Sequence, residues 1–133
     1  MQIQIDSASD QAILSALREG KVRHAAGLLV SYHGNTIYNV CRSLVADPEL
    51  AEDLTQESFR RAFSRLEGIQ GTSSPRSWLV GIAQQCCAEA VERVSAPESA
   101  ELPDVDPLAA ADTGSWRISE SLQRRLEVLA SAL

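Results

Sequence analysis

Residues 47–66 read Asp47-Pro-Glu-Leu-Ala-Glu-Asp-Leu-Thr-Gln-Glu-Ser-Phe-Arg-Arg-Ala-Phe-Ser-Arg-Leu66. Within them Leu50, Leu54, Phe59, Ala62, Phe63 and Leu66 recur at three- and four-residue spacing, the period of one face of an α-helix. Glu49, Asp53, Gln56, Glu57, Arg60 and Arg61 are left on the opposite side. The start of the stretch reads as a helix N-terminus. Asp47 can cap it, Pro48 takes the first helical position, and the acidic residues crowd where the helix dipole is positive. Dipole and solubility account for Glu49 and Glu52, but less well for the compact acidic and amide patch of Asp53, Gln56 and Glu57 farther along. One account of that patch is ion pairing at helical spacing, Glu57 with Arg60 or Arg61.

Outward from this helix the chain keeps the same period. Asp10 to Gly20 reads as a short helix, capped at Asp10 and closed by the glycine. A long helix is predicted from about Val22 to Val45, with Ala25, Leu28, Leu29, Tyr32, Ile37, Val40, Cys41 and Leu44 on its core side and Gly34 a mild interruption. The stretch from Glu67 to Pro75 reads as a loop by its glycines and hydroxyl residues. A further helix spans about Pro75 to Val94, with Trp78, Leu79, Ile82, Ala83, Cys86, Ala90 and Val94 as its buried stripe. From Ser95 to Gly114 the composition shifts to Pro97, Pro103 and Pro107 among Glu98, Glu101, Asp104 and Asp106, which reads as a linker. One more amphipathic helix is expected from Ser115, marked by Ile118, Leu122, Leu126, Leu129 and Leu133. No alternating β-branched run predicts a strand. The expected fold is therefore all-α: a compact bundle of about four helices within residues 1–94, an acidic linker over 95–114 and a terminal helix over 115–133.

At 133 residues the chain is one domain, or one domain with an appendage. Its 44% hydrophobic and 23% charged residues are ordinary for a globular chain. No apolar run approaches a membrane span and the N-terminus lacks the regions of a signal peptide, so no membrane partner and a cytoplasmic location are expected. Cys41, Cys86 and Cys87 form no even framework, and with His24 and His33 they do not supply a zinc spacing; they read as small buried hydrophobes. No cofactor is expected. The acidic helix could in principle be a catalytic or di-metal carboxylate set, but no Glu-x-x-His pair, Gly-rich phosphate loop or nucleophile elbow accompanies it, which argues against an enzyme. The net charge is −6. Residues 1–94 hold 11 acidic and 9 basic side chains and residues 95–133 hold 7 and 3, so the body has no basic surplus to meet nucleic acid.

The segment from Ala46 to Phe63, followed by Ser73-Ser-Pro-Arg-Ser-Trp-Leu-Val-Gly-Ile-Ala83, resembles the second conserved region of bacterial RNA polymerase sigma factors of the extracytoplasmic-function type. That family shows D-x-x-x-A-E-D-x-x-Q-E-x-F-x-x-A-F, a Gly/Ser loop, then F-R-x-W-L-x-x-I-A. The resemblance runs from about Asp10 to Val94. It implies a transcription initiation domain without catalytic residues, whose face at Asp53, Gln56 and Glu57, with Arg60 beside them, docks on an arginine-rich coiled coil of the core polymerase clamp. It also implies promoter DNA as a partner, weakly or only within the polymerase complex, through Thr72, Ser73, Ser74, Arg76, Trp78 and Gln85. An anti-sigma regulator is the remaining partner it implies. On the residues alone, Trp78 fits a core tryptophan in phase with Ile82, and Ser73 or Ser74 before Pro75 fits a helix cap.

The chain departs from the family in two places. After Ile82-Ala83 the family runs through Arg-Asn and several basic residues, where this chain has Gln84, Gln85, Cys86, Cys87, Ala88, Glu89, Ala90, Val91, Glu92 and Arg93; Pro75 replaces the usual aromatic. Clamp contact is thus better carried than promoter recognition, and the alternative function is a sigma-like interaction module that binds polymerase or another regulator without reading DNA. Secondly, Ile118 to Leu133 resembles only the first helix of the family's separate helix-turn-helix domain. The chain is then either truncated inside that domain or a sigma-like protein that lacks it.

Overall fold

The computed structural model describes residues 5–71, 74–94, 107–113 and 116–133. Every regular element among them is helical: α1 (Ile5–Arg18), α2 (Val22–Leu44), α3 (Pro48–Ser64), a 3-10 turn (Leu66–Gly71), α4 (Pro75–Val94), α5 (Pro107–Thr113) and α6 (Glu120–Ser131). The architecture is the expected all-α bundle.

α3 begins as its sequence dictates. The Glu49 backbone N–H donates to Asp47 Oδ1 at 3.0 Å, and Pro48 takes the first helical position, where no N–H is needed. Asp47→Ala should remove about 1 kcal/mol, read as a melting temperature lower by a few degrees; no change would mean that the cap contributes nothing. Leu54, Phe59, Ala62 and Phe63 point inward, with the Phe59 and Phe63 rings 5.9 Å apart and tilted at 53°. Thr55 and Ser58 are also buried, and return their hydroxyls to the Ala51 and Leu54 carbonyls one turn back.

α2 is the central helix, packed by α1, α3, α4, α5 and α6. Being enclosed on several sides, it buries more than the one face expected: His33, Tyr38 and Asn39 lie inside, whereas Tyr32, placed on the core side by its spacing, is 48% exposed. Gly20 closes the α1–α2 corner with φ +77°, its N–H reaching Leu17 O and that of Lys21 reaching Ala16 O. α1 starts earlier than expected, so Asp10 is no cap. It sits inside the helix, buried, with Oδ1 3.4 Å from His33 Nε2. Burial raises the Asp10 carboxyl above its usual range; His33, the Arg76 backbone and the Ser74 side chain act in the opposite direction and tie α1 to the entry of α4.

The described first part of the Glu67–Pro75 loop, up to Gly71, is a 3-10 turn and not irregular chain. Leu66 and Ile69 stand three apart in the 3-10 turn, one full revolution, and both are buried. α4 takes the expected bounds but buries a broader face than the expected stripe, with Val80 and Cys87 inside along with Leu79, Ile82, Ala83, Cys86 and Ala90. All three cysteines are free and buried, and the Cys41 thiol is raised by its hydrogen bond with Cys87 and by burial, which leaves it an unreactive packing group.

The C-terminal part differs most from expectation. Residues 95–106 of the anticipated linker lie outside the described residues. Its end, Pro107–Thr113, is a helix packed on α2 and α4, because Pro107 occupies the start of a helix, where proline is favoured, and does not interrupt one. The terminal helix starts at Glu120 and not near Ser115, since Ser119 is the cap and its Oγ accepts from the Leu122 N–H at 3.0 Å. α6 lies on α2 and α3 with Leu122, Leu126 and Ala130 buried. The segment before it is fastened to α2. Asn39 donates to the Trp116 carbonyl and accepts from its N–H, both at 2.9 Å, Asn35 Oδ1 accepts from the Ile118 N–H at 2.8 Å, and the Arg42 guanidinium lies 4.6 Å from the Trp116 ring centre. Gly34 faces this segment: a Cβ there would come within contact distance of Ile118 Cδ1, at 3.4 Å.

Candidate functional site

The outward side of α3 borders a groove of about 400 Å³ lined by Leu50, Asp53, Leu54, Gln56, Glu57, Arg60, Arg61 and Arg93. Asp53, Gln56, Glu57 and Arg60, expected from sequence to act together, are thus brought to one place. Leu54 and the fully buried Phe59 fix the helix from beneath.

Their charges are ordered by a relay of ion pairs. Glu57 receives Arg60 Nη1 at 2.5 Å on one oxygen and Arg61 Nε at 3.1 Å on the other, so both pairings suggested by helical spacing exist. Arg61 also holds Glu89 of α4 bidentately, at 2.6 and 3.1 Å. Those bonds raise the Arg61 guanidinium further above its usual value and lower the Glu89 carboxyl below its own. Arg61 is therefore a bolt between α3 and α4 and not a free surface cation. Asp53 differs from its neighbours: among the described residues its exposed carboxylate has no side-chain hydrogen bond or ion pair. Its carboxylate is open to an incoming donor.

On the opposite edge of the patch, Gln56 Oε1 accepts from Arg125 Nη1 and Glu52 Oε1 from Arg125 Nη2, each at 3.2 Å. Glu52 and Arg125 were not among the residues expected from sequence. Only the docking of α6, a long-range event, brings them together.

The second expected set is less gathered. Thr72 and Ser73 lie outside the described residues. Ser74 caps α4, its Oγ accepting from the Ser77 N–H at 3.2 Å and donating to Ser77 Oγ at 3.0 Å. Trp78 is half-buried against the core, with Nε1 3.7 Å from where a Cβ on Gly68 would stand, so the 3-10 turn covers part of its ring. Arg76 is half-buried near Asp10, and Gln85 is exposed on the outer side of α4. That side also carries Ser77, Gln84 and Glu92, with Arg93 in the last turn the one exposed basic side chain among the described residues of the helix. Among the described residues no three His, Cys, Asp or Glu side chains converge as a metal site would require, and no helix is long and apolar enough to cross a membrane.

The family model for Sigma-70 region 2 matches residues 29–96. The chain belongs to the Sigma-70 region 2 family. The match covers most of α2 together with α3 and α4, and leaves α1, α5 and α6 outside it. Among curated proteins, the chain is 39% identical over 70 residues to the ECF RNA polymerase sigma factor SigG of Mycobacterium tuberculosis, covering 50% of this chain and 19% of that one. It is 31% identical over 90 residues to the probable RNA polymerase sigma-C factor of Mycobacterium bovis, covering 66% and 49%. The chain thus spans about one fifth and one half of the lengths of these two relatives. No solved structure matches it.

Proposed function

We propose that this chain is the part of a transcription initiation factor that binds core RNA polymerase, with the outer side of α3 laid on an arginine-rich surface of the polymerase clamp. The observation that carries this reading is the open carboxylate of Asp53, set beside Gln56 and Glu57 on a helix held rigid by Phe59. Arginine forks match carboxylates in two-bond geometry, and Gln56 adds a directional acceptor. The chain acts, on this reading, in the cytoplasm and does no catalysis of its own. A regulator of the anti-sigma kind that covered the same side of α3 would silence it.

Promoter DNA belongs to this reading only within the polymerase complex. The outer side of α4 offers Ser77, Gln84, Gln85 and Glu92 with Arg93 as its one exposed base, too little positive charge to offset phosphate repulsion. The same observation favours the second reading, a module that occupies the polymerase clamp without reading DNA. Titrating the chain with core polymerase, and then assaying promoter opening, tests both. The free chain should bind neither duplex nor single-stranded promoter DNA at physiological salt, even at the ~10⁻⁴–10⁻⁶ M level of a basic surface, but should bind core enzyme. Opening of promoter DNA on adding core enzyme supports the initiator; binding without opening supports the module. Failure to bind core enzyme would remove both.

A further inference from the structure

The polymerase-facing side of α3 already has a guanidinium on it. Glu52 and Gln56 are one helical turn apart and face the same way, and the two terminal nitrogens of Arg125 span them at 3.2 Å each. We propose that Arg125 is a built-in competitor for the polymerase face, occupying from within the chain acceptors that an arginine of the clamp would take from outside. The proposal rests on the clamp-binding reading above, and adds that α6 controls its strength.

The position of Arg125 is set by dedicated contacts. The Asn35 and Asn39 amides hold the Trp116 and Ile118 backbone against α2, and Arg42 covers the Trp116 ring. Ser119 then caps α6 and also donates from Oγ to Glu52 Oε2 at 3.3 Å. Leu122 and Leu126 are fully buried, which fixes the rotation of α6 and directs Arg125 toward α3. The ion pair itself is only partly shielded, with side-chain exposures of 39% for Arg125 and 29% for Glu52. The helix is thus held firmly while the arginine tip can swing away, so the contact weakens polymerase binding without forbidding it. A clamp arginine reaching Gln56 must displace the Arg125 tip or tolerate a like charge beside it. α6 lies beyond residues 29–96, so this contact is an addition to the part of the chain that the family model matches.

The test is affinity for core polymerase, measured for the full chain, Arg125→Ala and Arg125→Gln at low and high salt, with Asp53→Arg alongside and melting curves as the folding control. Both Arg125 variants should bind about two- to five-fold tighter than the parent, the range a partly exposed ion pair commands. The gain should shrink as salt screens the competing charge. Equal or weaker binding by both folded variants, while Asp53→Arg still weakens capture by about an order of magnitude, overturns the competitor and leaves the clamp face standing. Parent binding unaffected by Asp53→Arg would sink the clamp reading itself, and the competitor with it.

Discussion

Reversing charge at Asp53 and Glu57 together should all but abolish capture of core RNA polymerase, with a loss of about 30- to 1,000-fold. Each substitution turns an attraction for an arginine-rich surface into a repulsion. At roughly 1–2 kcal/mol per reversed contact the pair removes about 2–4 kcal/mol, and each 1.4 kcal/mol is tenfold in affinity. The two positions are not equivalent. Asp53 is exposed and has no side-chain partner among the described residues, so Asp53→Arg alone should change stability by no more than about 0.5 kcal/mol, typical of surface substitutions, while still weakening binding about five- to thirty-fold. Glu57 holds Arg60 and Arg61, and a third arginine there would crowd like charges and loosen the bolt to Glu89. The double variant should therefore melt a few degrees lower as well. Undiminished capture by either variant would remove the docking face assigned to α3.

Where local chemistry sets an element, its sequence was readable. α3 shows this: Asp47, Pro48 and the spacing of Leu54, Phe59 and Phe63 define its start and inner face without reference to any other helix. Three of the four residues expected to meet the clamp needed nothing more than this phase to be placed, and Gln56 needed one thing more, since its partner arrives from α6. Burial on α2 was less legible because a helix enclosed by five others has no single core face, and the polar pair Asn35 and Asn39 makes sense only beside the Trp116 and Ile118 backbone it fastens. Pro107 was ambiguous for a different reason. The same ring that breaks a helix interior starts one at the first position, and only the packing of α5 on α2 and α4 decides which.

The standing of α6 is decided by Leu126. Its side chain is fully buried, as is that of Leu122 one turn earlier, whereas Val128 on the same helix is 66% exposed. If the terminal helix is an integral part of the bundle, Leu126→Ala leaves a cavity between α6 and α2 and costs about 2–5 kcal/mol, the range for leucine truncation in a packed core. In a chain of this size that lowers the melting temperature by roughly 10 °C or more. Val128→Ala removes apolar surface that stays in water and should change stability by no more than about 0.5 kcal/mol. A single cooperative transition that moves with Leu126→Ala would show that α6 and the α3 face unfold together. The register that puts Arg125 on Glu52 and Gln56 would then be as stable as the core beneath it. Equal, small effects of the two substitutions would instead make α6 an appendage, and would leave the α3 face without its internal arginine for much of the time.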